Sequence, residues 1–279
     1  ARFGTIEARG TLDATRTAAG FEGAAQLAVT QGGITAGIGA IATVRNSATT
    51  VAITVDPVEL GTLLASVPHV AGTGGVLGGT AQLTLSPALE PLALRLDVSL
   101  GLGQGPGQVV LDGVPVRVER LSTTLSARWD PGDRRPAQIG LTRVTATVAA
   151  ASGARSTAEL SGQLTRVGEQ VTAAGTLRLD RMALADLSQF WPEPWGGHAR
   201  PWIVENIVGG VAHDGVVTVA GRINTDGSAP LIDQFEVRLL GDDLSIAWLR
   251  PVPPVQHARA ILTMAGPDLI EVSVPTARQ

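Results

Sequence analysis

The four histidines are the side chains of this sequence best suited to acid–base or metal chemistry near neutral pH. They are His69, His198, His213 and His257, and no two of them show the H-x-x-x-H or H-x-x-x-x-H spacing that lets neighbouring imidazoles share one metal ion. The chain has no cysteine, so thiolate ligands, thiol nucleophiles and disulfides are excluded. We therefore predict no metal site.

Glycine-rich segments are a second source of chemistry, because their backbone N–H groups can bind phosphate. The runs Gly72–Gly79 and Gly101–Gly107 lack both the G-K-[ST] ending and the G-x-G-x-x-G pattern. No G-x-S-x-G nucleophile motif occurs. Asn224-Thr-Asp226-Gly227 resembles the start of a calcium loop but has no glutamate at the twelfth position, which favours a turn. We predict no catalytic residues, no cofactor and no enzymatic activity.

The overall charge argues against a nucleic-acid partner. The net charge is −4 and the isoelectric point is about 5.6, whereas nucleic-acid binding requires a basic face. Aromatic residues make up only 3% of the chain while apolar residues make up 44%, so its apolar surface is mostly aliphatic. The uncharged run Ala24–Val44 is interrupted by glycine and glutamine, which favours β structure over a membrane-spanning helix.

Most of the chain alternates apolar with polar residues, the pattern of strands with one buried face. Short turn sequences such as Asp112-Gly113, Ser152-Gly153 and Val167-Gly168 separate these segments and indicate hairpins. We predict a mainly β protein with a long curved antiparallel sheet, shaped like a groove, and a few short helices. Two segments are expected: a β-rich groove segment at 1–175 and a second β-rich segment at 176–279.

Three short helices are predicted within this framework. Asp56 is placed to cap a helix near 56–67, with Pro57 at its first position. Two more are predicted near 183–208, one ending at the prolines that follow Trp191, and one running from about Arg200 to Val208 with Trp202 and Ile203 on one side.

Apolar residues recur on one face of successive strands, and something apolar must cover them. The candidates are a second sheet, the few helices, or a hydrocarbon ligand. We predict that this face lines a lipid groove. The predicted groove residues are Leu94, Leu96, Val98, Leu177, Leu179, Val217, Val219, Ile223, Val237, Leu239, Leu244, Ile246 and Trp248.

The stretch from Thr176 to Val274 has a characteristic order of predicted elements. A strand is followed by a helix ending in Trp-Pro, a helix of the form R-x-W with a later Asn-Ile, and a strand with an internal glycine. A Trp-ended strand, a proline-rich link and a returning strand come next. The residues that define this order are Phe190, Trp191, Pro192, Arg200, Trp202, Ile203, Asn206, Ile207, Gly210, Gly221, Leu244–Trp248, Pro251, Pro253, Pro254 and Arg259–Met264. In these residues and their order the stretch resembles the AsmA-like superfamily, and in particular its YhdP-type branch.

This resemblance implies a periplasmic protein anchored in the inner membrane, whose sheet carries phospholipid towards the outer membrane of a Gram-negative envelope. We expect this chain to be a periplasmic segment of such a protein, without its anchor. The expected partners are phospholipid or another acyl lipid, a nearby membrane, and envelope proteins. Residues 1–175 resemble the family only loosely.

Trp191, Trp195 and Trp202 have two interpretations, as a core that plugs one end of the sheet or as an amphipathic lip at the groove mouth. Arg200 could likewise bind a lipid phosphate or pair with a carboxylate such as Glu205 or Asp186. The alternative function is a structural or adhesive β-sandwich or solenoid, or an outer-membrane assembly factor, with no lipid ligand.

Overall fold

The computed structural model describes most of the chain. The described residues are 6–17, 20–31, 34–45, 48–59, 70–101, 106–111, 114–150, 152–190, 199–224, 231–247, 249, 251–266 and 269–278. Within these ranges no helix is both long enough and apolar enough to cross a membrane.

The described residues form sixteen β-strands. They are β1 (Ile6–Thr17), β2 (Gly20–Gln31), β3 (Ile34–Arg45), β4 (Ala48–Glu59), β5 (Val70–Thr73), β6 (Val76–Leu85), β7 (Pro91–Gly101), β8 (Gly107–Leu111), β9 (Val114–Arg128), β10 (Gln138–Ala149), β11 (Arg155–Val167), β12 (Gln170–Ala183), β13 (Ile207–Asn224), β14 (Leu231–Ile246), β15 (Val255–Ala265) and β16 (Ile270–Arg278).

All sixteen strands belong to one antiparallel sheet. Its main path runs β1-β2-β3-β4-β6-β7-β9-β10-β11-β12-β13-β14-β15-β16, while β8 pairs with both β9 and β5 beside this path. The described part of β1 pairs only with β2, and that of β16 only with β15, so these two strands form the edges of the described sheet. The predicted fold class, mainly β with a long curved antiparallel sheet and a few short helices, is confirmed.

In the described part of the link between β12 and β13 there are two short helices. A 3₁₀ turn at Leu184–Asp186 leads into α1 (Leu187–Phe190), and α2 (Ala199–Asn206) follows. The helices predicted near 183–208 are therefore present, but the second ends at Asn206, before the predicted Val208, because β13 begins directly at Ile207. Since β12 spans residue 175 and pairs with strands on both sides, the sheet is continuous across the boundary predicted there.

The helix predicted near 56–67 does not begin at Asp56. Residues up to Glu59 remain in β4 and pair with β6, with Val58 opposite Leu77. The register shifts between Val55 and Val58, so Pro57 lies at a bulge, one of the places where a strand tolerates its missing N–H. The rest of that predicted helix, from residue 60, lies outside the described residues.

The register shows that the two faces of the sheet differ in chemistry. Directly paired residues of an antiparallel sheet lie on the same face. Following one row across four strands joins Ile53, Ala81, Leu96 and Leu125, all apolar. The adjacent row joins Thr54, Thr80, Asp97 and Thr124, all polar. The alternation in the sequence therefore becomes one apolar face and one polar face.

The folded chain exposes far more surface than a compact domain of its size. Its accessible surface is 17396 Å², whereas a compact monomer of 28.6 kDa exposes about 11,000 Å² on the usual scaling with mass. Among the described residues no large side chain is less than 2% exposed. Both observations are accounted for by a single extended sheet, because the described residues form no second layer over most of its apolar face.

Candidate functional site

The apolar face of ten strands, β1–β4, β6, β7 and β9–β12, forms the candidate site, which we call the open face. Its larger side chains share a face by register. Leu100 and Val118, on β7 and β9 near β8, are buried. The half-buried or exposed ones include Leu12, Phe21, Leu27, Val29, Ile38, Val44, Val51, Ile53, Val55, Leu83, Leu94, Leu96, Val98, Leu125, Ile139, Leu141, Val144, Leu160, Leu164, Val171 and Leu177.

Some leucines of the open face are unusually accessible for residues in the middle of a sheet. Leu160 and Leu177 lie directly opposite each other on β11 and β12, yet they are 39% and 38% exposed. Phe21 and Leu164 are also exposed. Side chains in the core of a β-sandwich are covered by the facing sheet, so the described residues provide no such cover for these four side chains.

The C-terminal strands present a contrast, because their apolar face is closed by the helices. A cluster of buried side chains from β12–β15, the 3₁₀ turn, α1 and α2 packs together there. This closed cluster comprises Met182, Leu184, Leu187, Ile203, Ile207, Ala212, Leu244, Ile246, Ala258, Ala260, Leu262 and Met264. Here the helices cover the apolar face of the strands, as a second sheet does in a sandwich.

The predicted groove residues divide between these two regions. Leu94, Leu96, Val98 and Leu177 lie on the open face. By register, Val217 and Val219 on β13 continue this face beside Leu177 and Gly175 of β12.

Other predicted groove residues lie at or in the closed cluster. Leu179, Val237 and Leu239 are half-buried and pack against it, while Leu244 and Ile246 are buried within it at 3% and 5% exposure. Leu244 and Ile246 are therefore inaccessible to a ligand, and we leave them out of the groove.

Two predicted groove residues have no described side-chain position. The backbone of Ile223 pairs with Val171 in β13, but its side chain is outside the described part of the structure. Trp248 lies outside the described residues.

The residues predicted for the groove mouth are only partly described. Trp191 and Trp195 lie outside the described residues. On α2, Trp202 is 38% exposed, and an Arg200 Nη2 group points to the carbonyl oxygen of Ser188 at 3.5 Å. Asp186, one of the carboxylates considered for Arg200, accepts a 2.6 Å hydrogen bond from Ser152 Oγ.

Sequence reasoning missed a histidine–aspartate cluster where β13, β14 and β15 meet. The His213 ring lies between two carboxylates, with Nδ1 2.8 Å from Asp214 and Nε2 3.0 Å from Asp242. Arg259 Nε donates to the other oxygen of Asp242 at 2.7 Å. The hydrogen bond to Asp214, with a smaller contribution from Asp242 and partial burial acting against both, raises the pKa of His213 above its usual value.

Beta-bulges bring this cluster together. Asp214, Asp243 and His257 all have positive φ, an uncommon conformation for residues other than glycine, and the register shifts beside each of them. The sequence signals were His213-Asp214-Gly215 and Gly241-Asp242-Asp243, turn-like sequences inside strands. Within the described ranges, no group of three or more histidine or acidic side chains could hold a metal ion.

A shallow depression of about 580 Å³ is lined by β4, β6, β7, β9 and β10. Its lining includes Thr80, Asp97, Thr124 and Arg143, and Asp97 already accepts hydrogen bonds from Arg95 and Thr124. Thr80, Asp97 and Thr124 belong to one row of the polar face, so this part of the depression lies on the side of the sheet opposite the open face.

Comparison with known proteins gives no relative. No family model, curated protein or solved structure matches the chain.

Proposed function

We propose that the open face binds the acyl chains of phospholipid, and that the chain is a lipid-conducting segment of a cell-envelope protein. The observation that carries the proposal is that half-exposed and exposed aliphatic side chains recur on one face of ten strands, with no second layer of described residues over most of that face. Exposed apolar patches of this extent mark binding surfaces in soluble proteins.

The dimensions of the open face suit acyl chains. Ten strands give nine spacings of about 4.8 Å, so the face extends for about 43 Å across the sheet. The hydrocarbon region of one bilayer leaflet is about 15 Å thick, half of the bilayer core. The open face is therefore long enough to cover the acyl chains of several lipids that lie side by side.

The free energy of transferring a lipid from a membrane favours movement along the open face over tight binding at one place. Burying each methylene contributes about 0.8 kcal/mol, so the gross gain for a two-chain lipid is tens of kcal/mol. Leaving a membrane costs nearly the same amount, because those methylenes are already buried there. Aliphatic side chains without a deep specific pocket give a smooth surface, along which lipid exchange is close to neutral.

The resemblance to AsmA-like proteins supports a location for this activity. On that basis we place the chain in the periplasm, in a protein anchored to the inner membrane, carrying phospholipid between the two membranes with envelope proteins as partners. No enzymatic step is required, since the lipid is moved and not changed. The structural or adhesive alternative needs no ligand, and it leaves the open face without a role.

Lipid binding can be tested on the purified chain by native mass spectrometry with lipid extraction. We expect phospholipid to co-purify with the wild type and to be lost in the double variant Leu160→Asp/Leu177→Asp. The matched control is Ser161→Asp/Thr176→Asp, which introduces the same charges into the next directly opposed pair on the polar face. Lipid-free wild type, or equal lipid loss in both double variants, would contradict the proposal.

A further inference from the structure

The turn between β9 and β10 differs in charge from its neighbours at the same rim of the sheet. Residues 129–137, which we call the arginine turn, contain Arg134 and Arg135, and both side chains are exposed. Within the described part of the chain neither guanidinium is engaged in an ion pair or hydrogen bond. The adjacent turns of this rim, β6–β7 and β11–β12, carry Glu90 and Glu169 instead. Positive charge is therefore concentrated at one turn of an acidic chain.

The local sequence fixes the shape of the arginine turn. Pro131 and Gly132 are its central residues, Gly132 has a φ of 80°, and the N–H of Asp133 donates to the carbonyl oxygen of Asp130 at 3.1 Å. This is the arrangement of a type II turn. The Oδ1 atom of Asp133 then accepts a 3.0 Å hydrogen bond from the N–H of Arg135. The backbone that carries the arginines is therefore held in one shape.

Arg166 fastens the arginine turn to the side of the sheet that carries the open face. It lies opposite Val171 on β12, so it belongs to the open face by register. Its guanidinium forms an ion pair with Asp133 and donates to the carbonyl oxygens of Arg135 and Pro136 at 3.3 and 3.4 Å. Together with Arg166 the turn has three arginines and two aspartates, so its net charge is positive.

An apolar surface begins directly beside these charges. Trp129 follows Ala127 by two residues, and its N–H donates to the carbonyl oxygen of Leu92 at 3.0 Å, so it extends the open face by one more row. Its side chain is half-buried. Tryptophan beside arginine is typical of a boundary between hydrocarbon and water, because the indole ring is apolar and its N–H is polar. The open face therefore has a polar boundary at the arginine turn.

The opposite end of the same strands is apolar. There Leu100 and Val118 are buried near β8. A phospholipid has one charged end and one apolar end, so its polarity matches that of the strands when its headgroup lies at the arginine turn. The hydrocarbon of one leaflet is about 15 Å thick, which corresponds to about four residues of a strand. Acyl chains that begin at Trp129 therefore reach Leu125 on the open face.

We propose that the arginine turn binds the phosphate group of an anionic phospholipid whose acyl chains lie along the strands of the open face. Guanidinium groups bind phosphate through paired N–H donors. The proposal rests on the lipid binding proposed above, and it adds an orientation and a preference. The headgroup lies at the arginine turn and the acyl chains run towards β8. Anionic headgroups are preferred to zwitterionic ones, because the turn is positive.

Headgroup preference is measured by loading the purified chain from vesicles with equal amounts of phosphatidylglycerol and phosphatidylcholine. Native mass spectrometry then counts the bound lipids of each kind. We expect the wild type to hold about five times more phosphatidylglycerol, the upper end of what an exposed ion pair contributes. In Arg134→Gln/Arg135→Gln lipid still binds, but the preference is lost. The matched control Arg178→Gln/Arg238→Gln removes the same charge from exposed positions on the other face and keeps the preference.

The outcomes separate the headgroup site from lipid binding itself. Lipid bound by the wild type without a preference, or equal loss of preference in both double variants, overturns the headgroup site and leaves the lipid groove standing. A wild type without any bound lipid overturns both. Calorimetric titration with inorganic phosphate is expected to show no binding. Free phosphate bound as tightly as phosphatidylglycerol would make the turn a site for free phosphate and overturn its assignment to lipid.

The orientation is tested with a fluorophore on Ala137→Cys, at the end of the arginine turn, or on Thr123→Cys. Thr123 lies on the open face by register, six residues from Trp129 and so about 20 Å farther along the strands. Phosphatidylglycerol with a nitroxide on its headgroup should quench the fluorophore at residue 137 more strongly. With the nitroxide at the end of an acyl chain, residue 123 should be quenched more strongly. The reverse order, or equal quenching at both residues, overturns the proposal.

Discussion

The open face and the closed cluster are parts of the same apolar side of one sheet, yet only one of them is covered. Over β12–β15 the turn and two helices between β12 and β13 fold back and bury Leu244 and Ile203, each to 3% exposure. Over β11 and β12, farther along the strands, Leu160 and Leu177 face the same side and are 39% and 38% exposed. We infer that the closed cluster stabilises the fold, whereas the open face is accessible to a ligand.

The largest expected effect is on the stability of the closed cluster. Leu244→Ala should lower the free energy of unfolding by about 3 kcal/mol, because it leaves a cavity among packed neighbours. Leu160→Ala on the open face should cost about 1 kcal/mol or less, because much of that side chain is already in water. Urea denaturation measures both, and equal losses would remove the distinction between the two regions.

An intermediate effect is expected from pH at the His213 cluster. The pKa of His213 is raised in the folded state, chiefly by Asp214 and then by Asp242. A raised pKa means that the folded state holds the proton more tightly, so this stabilisation is complete below the unfolded value of about 6.5. It is lost as the pH rises through the higher folded value.

The variant His213→Asn separates this contribution from the rest of the protein. The free energy of unfolding of the wild type should fall as the pH rises from about 6 to 8, and the variant should lose this part of the dependence. Thermal unfolding across that range provides the measurement. Parallel pH profiles for the two proteins would show that the cluster does not contribute.

The smallest expected effect is on the polar face. Arg222 makes two hydrogen bonds to Asp233, of 2.9 and 2.7 Å, in a pair whose side chains are both 44% exposed. Exposed ion pairs contribute little, so Arg222→Ala should cost less than about 1 kcal/mol in urea denaturation. A loss as large as that of Leu244→Ala would show that the polar face also carries much of the stability.

The sequence predicts the strands well because side chains alternate across a sheet with a period of two. That period places Leu94, Leu96 and Leu177 on one face correctly, and the proline and tryptophan spacing locates the helices before β13. Asp56-Pro57 was predicted wrongly, since a proline at a bulge and a proline at a helix start have the same local sequence.

The covering of each face could not be predicted, because it depends on contacts between distant parts of the chain. The apolar–polar alternation places both Leu177 and Leu244 in the predicted groove, although Leu177 is exposed and Leu244 is buried. The pairing of β8 with β5 and the meeting of His213 with Asp242 are also long-range contacts that no local pattern records.

The most direct test of the central claim compares two adjacent residues on opposite faces of β12. Leu177→Cys and Thr176→Cys each provide a single labelling site for a fluorophore, because the chain has no other cysteine. Phospholipid carrying a nitroxide on its acyl chain is then added. We expect strong quenching at residue 177 and little at residue 176. Equal quenching at both positions, or none at residue 177, would contradict a lipid groove on the open face.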